Sequence, residues 1–156
     1  MSKSLARVTA ALHASGLSIT PLEMPAETRT AAQAAAAAGV TIDQIAKSIL
    51  FAGATTGQLY LFLTAGGNQV DPDRAATLAG EALGRADINK VRDITGFAIG
   101  GVAPLGHLTP LPTWFDPRLM EFSVIWAAAG TPRHIFPIAP ADLHRITGAT
   151  LAPFTA

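Results

Sequence analysis

The chain has 156 residues, 49% apolar and 14% charged, a composition that can bury a core in a single domain spanning 1–156 and is far too apolar for a disordered chain. Lys plus Arg and Asp plus Glu each number 11, so the formal net charge is zero, which argues against broad attachment to a nucleic-acid backbone, since that needs a basic surface. With no cysteine there is neither a disulfide framework nor a thiolate metal site. No apolar run approaches a membrane span of roughly 20 residues, and the start lacks a signal-peptide core, so a cytoplasmic location is expected.

Leu5, Val8 and Leu12 recur at helical spacing, predicting a helix over 4–15 that ends near Gly16. A short strand is expected over 18–22, then a polar connection carrying Pro25. Thr30 can cap a helix through the alanine run 31–38, with Gly39 closing it. Thr41 to Gln44 reads as a capped turn leading into a strand over 46–51. A turn over 53–57 and a return strand over 58–64 complete a β-hairpin. Asp71-Pro72 starts a helix expected to reach about Leu83 before Gly84, and Asn89 caps a short one ending at Thr95 before Gly96.

The prolines at 110, 112 and 117 predict an irregular or edge-strand region around Trp114 and Phe115. Residues 122–127 and 134–138 read as a second hairpin around Gly130-Thr131-Pro132, and 140–146 as a last helix ended by Gly148. Interspersed hairpins and helices imply an α/β (α+β) single domain with a mixed sheet, and not a doubly wound parallel one. No internal repeat or linker divides the chain.

The chemistry concentrates in Phe-Ala-Ile-Gly-Gly-Val-Ala-Pro-Leu-Gly-His, residues 97–107. Gly100, Gly101 and Gly106 around a rigid Pro104 can aim several backbone N–H groups at one point, which suits an anion or a developing oxyanion. A tight connection between two strands is the plainer reading of the same residues. Lys47 is the one cation in the strand pattern, sharing a face with Ile45, Ile49 and Phe51; it either snorkels to an edge or meets an anion. His134 is either a strand-end surface histidine or a site residue. His13, His107 and His144 read as structural or surface residues, and Asp116 carries no assigned role. No His pair has metal-ligand spacing, and neither a nucleophile elbow nor a Walker loop is present, so no metal or cofactor is expected.

Three segments in order, Ala46-Lys47-Ser48-Ile49-Leu50-Phe51, the 97–107 loop and Ala128-Ala129-Gly130-Thr131-Pro132-Arg133-His134-Ile135-Phe136, resemble the YbaK family and the editing domain inserted in bacterial prolyl-tRNA synthetases. The resemblance runs from about Thr28 to Leu143. It implies a mixed, largely antiparallel, barrel-like curved sheet flanked by helices. Lys47 matches the lysine those domains use at the tRNA 3′ end, with a role on ribose or phosphate and not as a nucleophile. Gly100 to Pro104, through Gly101, Val102 and Ala103, matches their Gly-x-x-x-Pro loop, whose backbone holds the aminoacyl ester and shapes a small pocket. Gly130 and His134 are similar to the Gly-x-x-x-His arrangement of the synthetase-inserted domains, where the histidine would position a water or bond the terminal ribose. YbaK proper tends to carry an acidic residue near this point, where this sequence has Arg133-His134. Thr28 and Thr30 fall where family members place pocket-lining residues, and Ile49 would contribute to the pocket volume.

The resemblance implies a trans-acting, metal-independent aminoacyl-tRNA deacylase, clearing a small amino acid wrongly attached to tRNA(Pro) or a related tRNA. Its partners would be the tRNA acceptor 3′ end and prolyl-tRNA synthetase. The zero net charge leaves open a non-catalytic module that binds a nucleotide or aminoacyl group, or a helper that takes its tRNA affinity from a synthetase.

Overall fold

The computed structural model describes residues 2–156. Helix α1 (Lys3–Ala14) starts at Ser2, whose hydroxyl accepts the Leu5 N–H at 3.0 Å, and buries Val8 and Leu12 as the spacing predicts. The strand expected over 18–22 shrinks to β1 (Leu22–Glu23), because only those residues find a ladder partner. Helix α2 (Ala31–Ala38) carries a full capping box: Thr30 Oγ1 accepts the Gln33 N–H at 3.1 Å, and Gln33 Oε1 accepts the Thr30 N–H at 3.2 Å. The alanine run is therefore structure, as expected.

Strands β2 (Ile45–Gly53) and β3 (Leu59–Ala65) form the expected antiparallel hairpin. Helix α3 (Pro72–Ala79) begins at the predicted Asp71 cap but stops at Ala79, short of Leu83. Gly80 takes φ +81°, a left-handed turn only glycine makes freely, and Glu81 is drawn to the β2–β3 turn by the Thr55 and Thr56 N–H groups, both at 3.0 Å. Leu83–Arg85 leaves instead as β4, antiparallel to β2. Helix α4 (Ile88–Thr95) is capped by Asp87, which accepts the Lys90 N–H at 3.0 Å, and not by Asn89. The 97–107 loop thus leaves a helix rather than joining two strands.

Strand β5 (Thr113–Phe115) is neither irregular nor an edge. It pairs in parallel with β3 on one side and with β8 (Thr150–Leu151), which the sequence did not announce, on the other. The preceding prolines are tolerated because a proline carbonyl still accepts: the Leu61 N–H donates to Pro112 at 3.0 Å. Strands β6 (Ile125–Ala128) and β7 (His134–Ile138) make the second expected hairpin, and helix α5 (Pro140–Thr147) follows.

The result is one mixed sheet ordered β1-β7-β6-β2-β3-β5-β8, with β4 also on β2. Its ends, β1 and β8, do not meet, so the barrel-like sheet is not closed. Strand β3 is buried on both faces. Leu59, Leu61 and Leu63 face the main core with Val8, Leu12, Phe115 and Phe136. Phe62 faces a second cluster, stacked on Trp114 with centroids 5.0 Å apart and edge-on to Phe154 at 5.0 Å.

Candidate functional site

One edge of β2 is fully paired with β3, from Ala46 to Ala52. On its other edge β6 reaches only Ile45 and Ala46, and β4 only Phe51 to Gly53. Among the described residues, Lys47 to Leu50 therefore have no strand beside them on that edge. Backbone geometry decides which groups face the gap. The Leu61 N–H goes to Pro112, and the Leu63 carbonyl accepts from Asp116 at 2.9 Å, both toward β5. Opposed residues of an antiparallel pair share one hydrogen-bonding sense. Leu50 and Ser48, opposite Leu61 and Leu63, thus turn their N–H and C=O groups into the gap.

A cavity of about 700 Å³ lies here. Its walls are the 45–50 stretch of β2, the chain into α2 from Thr28 to Ala34, β6 with Trp126 and Ala128, Arg85 of β4, and Ile99, Gly100 and Val102 of the glycine loop. Lys47, Arg29 and Arg85 supply positive charge, and among the described residues no Asp, Glu or His lines it. Such a surface suits a ligand with an apolar body and an anionic or strongly polar part. Among the described residues no group of His, Cys, Asp or Glu side chains is placed to hold a metal.

Lys47 Nζ donates to the Asn68 carbonyl at 2.6 Å. Burial pushes its pKa below the ordinary lysine value, while the charges of Asp116 and Asp43 pull it back up. Thr28 lines the cavity but is itself buried, with its hydroxyl donating to the Pro132 carbonyl at 3.1 Å. Thr30 is both cavity wall and cap of α2. Ile49 lines the cavity and also touches the Phe62 cluster.

The glycine loop is fixed from behind by α1. Arg7 donates to the carbonyls of Gly96 at 2.9 Å and Gly106 at 3.2 Å, and its guanidinium lies 4.8 Å from the Phe97 ring centroid. Gly100 sits at φ +94° against the Arg29 side chain. Gly101 presses on the turn before β7: a Cβ there would stand 2.9 Å from the Thr131 carbonyl carbon. Its N–H donates to the Ala98 carbonyl at 3.1 Å within the loop.

The structure therefore brings Lys47, Thr28, Thr30, Ile49, Gly100 and Val102 onto one cavity, and places the other candidates outside the lining. Gly101, Ala103, Pro104 and Gly130 lie behind the wall. Ala103 is buried, with its carbonyl 2.7 Å from His107 Nε2, and burial lowers the pKa of that imidazole. Gly130 fits against Ser4 and Phe97. His134 pairs across the ladder with Glu23 and sets its Nδ1 2.6 Å from Thr131 Oγ1, bracing the turn. Sequence reasoning missed Arg29, Arg85, Ile99, Ser48 and Trp126. Ser48 has the sharper signal in hindsight, a hydroxyl in a strand; its Oγ is buried without a hydrogen-bond partner.

A solved structure of a candidate trans-editing enzyme for prolyl-tRNA synthetase is 44% identical, with a TM-score of 0.92, covering 100% of this chain and 99% of that one. The solved structure of the hypothetical protein APE2540 is 27% identical with a TM-score of 0.88, covering 96% and 99%. YwhH of Bacillus subtilis (strain 168), an uncharacterized protein, is 30% identical over 121 residues, 78% of this chain and 76% of YwhH. Residues 25–146, which include all of β2, the glycine loop and the β6–β7 hairpin, match the aminoacyl-tRNA editing domain. The chain belongs to the aminoacyl-tRNA editing domain family.

Proposed function

We propose that the protein is a trans-acting deacylase that hydrolyses the ester between a small, wrongly attached amino acid and the terminal adenosine of a tRNA, with tRNA(Pro) as the leading candidate. The observation that carries this reading is the gap in the sheet, where a partly buried Lys47 lines one cavity with Gly100 and Val102 of the glycine loop. Its volume, about 700 Å³, suits an aminoacyl-adenosine more than a bare amino acid. The similarity to a candidate trans-editing enzyme for prolyl-tRNA synthetase supports the choice of tRNA.

In this reading Lys47 holds the ribose or the adjoining phosphate as a point charge. The backbone N–H groups of Gly100 and Val102, both on the cavity wall, face the ester carbonyl, where a rigid donor is worth about 100-fold or more in rate. Among the described residues the lining offers no carboxylate or imidazole as a base, so the attacking water draws on the substrate's own ribose hydroxyl. His134 acts through the shape of the turn it braces.

A deacylation panel of Ala-, Ser-, Cys- and Thr-tRNA, with Pro-tRNA(Pro) as the cognate control, tests this. One ester should be cleared selectively, and Lys47→Ala should lower kcat/KM about 100-fold or more with little change in Tm. Esters as long-lived with the protein as in buffer, with and without prolyl-tRNA synthetase, would sink the reading.

A further inference from the structure

Asp116 stands outside the cavity lining, is 2% exposed, and takes no part in the chemistry proposed above. A buried carboxylate needs partners, and this one has three. Its Oδ2 accepts the Ala65 N–H at 3.0 Å and the Asn68 side-chain amide at 2.9 Å, and its Oδ1 accepts the Arg118 N–H at 2.9 Å. All are donors, and they arrive at both oxygens. An asparagine could accept at only one and would turn an NH₂ toward another N–H. The site therefore calls for a charged carboxylate.

Two of those bonds fasten the stretch that follows β3. Ala65 ends the strand, and Asn68 belongs to the turn whose carbonyl receives Lys47 Nζ at 2.6 Å. The same turn is tied a second time: Asp43 Oδ1 accepts the Gly67 N–H at 2.8 Å, and its Oδ2 accepts Arg118 Nε at 3.1 Å. Lys47 is thus aimed by a carbonyl that two carboxylates hold in place. Without that acceptor, a four-carbon side chain with three rotatable donors has no reason to keep one pose.

We infer that Asp116 is a positioning residue: through the Asn68 amide it fixes the Asn68 carbonyl, and so the pose of the Lys47 ammonium at the cavity wall. The inference rests on the role proposed for Lys47. Asp116 also faces that ammonium as a charge, and its field opposes the effect of burial on it.

The test is a double-mutant cycle with a spectroscopic arm. Asn68→Ala keeps the backbone carbonyl and removes its tether, and Asp116→Asn removes the charge. Each should lower kcat about 10-fold, and neither should lower the residual rate further in a Lys47→Ala background. Independent losses that multiply with Lys47→Ala would mean a purely structural role and overturn the inference. NMR titration of the Lys47 side chain provides a readout separate from activity: in Asp116→Asn the midpoint should move to lower pH, since a neighbouring negative charge is gone. An unmoved midpoint in a folded variant, or unchanged kcat in Asn68→Ala while Lys47→Ala is inactive, would overturn the role of Asp116 and leave the deacylase reading standing. An active Lys47→Ala enzyme would instead remove the role proposed for Lys47 and this inference with it. Should Asp116→Asn fail to fold, the Asn68→Ala cycle alone decides.

Discussion

Gly101→Ala tests how the glycine loop is seated. The added Cβ would lie 2.9 Å from the carbonyl carbon of Thr131 and 3.1 Å from both its Cα and its N. These are backbone atoms, so no side chain can swing aside. The turn they belong to is anchored as well: Thr28 N–H donates to Pro132 at 2.7 Å, and Thr131 Oγ1 is bonded to His134. The loop is held from the other side by Arg7. One of the two must shift by several tenths of an ångström. Overpacking of this kind costs about 1–3 kcal/mol, or roughly 3–10 °C in Tm for a chain of this length. Since Gly100 and Val102 on either side line the cavity, a shift of that order should also cost about 10- to 100-fold in single-turnover deacylation. Gly84→Ala is the control, because nothing lies within 4 Å of its added Cβ and its φ is not positive. It should stabilise by about 0.4–1 kcal/mol through the unfolded chain. Thermal unfolding and single-turnover kinetics on the two variants decide the matter. A Gly101→Ala protein with unchanged Tm and rate would refute the packing argument.

Glu81 accepts from Thr55 N–H, Thr56 N–H, Thr56 Oγ1 and Tyr60 OH, and these bonds, the Thr56 hydroxyl's foremost, hold its pKa down to about 2 from the usual 4.5. A carboxylate depressed on folding stabilises the fold above its unfolded pKa, and that contribution fades as pH falls through the window from 4.5 toward 2. Glu81→Gln should therefore flatten the Tm–pH curve in that acid window, and an unchanged slope would refute the assignment. Phe62→Ala empties a site enclosed by Trp114, Phe154 and Phe51, and should cost about 3–5 kcal/mol in denaturant unfolding; a loss under 1 kcal/mol would show that the cluster collapses freely. Lys47→Ala should separate activity from stability as described above.

What the sequence shows plainly is what neighbouring residues decide. The Thr30 cap, the hairpins and the Asp71-Pro72 helix start rest on residues within a few positions of one another, and each was legible. The end of α3 was not, because Gly80 and Gly84 are equal candidates as stops until one knows that Glu81 is drawn to the β2–β3 turn. Strands β4 and β8 are too short to show a period, and their pairing partners lie far along the chain. For the site, the resemblance carried Lys47 and the loop. It could not supply Arg85, Trp126 or Ser48, because the cavity exists only where β6 and β4 each stop short on the same edge of β2. Asp116 was unreadable for a related reason: two of its three partners, Ala65 and Asn68, stand 51 and 48 residues before it in the chain.

That interrupted edge also sets how β2 breathes. Lys47, Ile49 and Phe51 turn their amides toward β3 and lie in a continuous ladder, so their hydrogens should exchange with solvent only when the hairpin itself opens. The amides of Ser48 and Leu50, between them, face the cavity and have no strand to release. Two amide populations should therefore alternate residue by residue along one strand, one reporting global stability and the other the comings and goings of water and ligand in the gap.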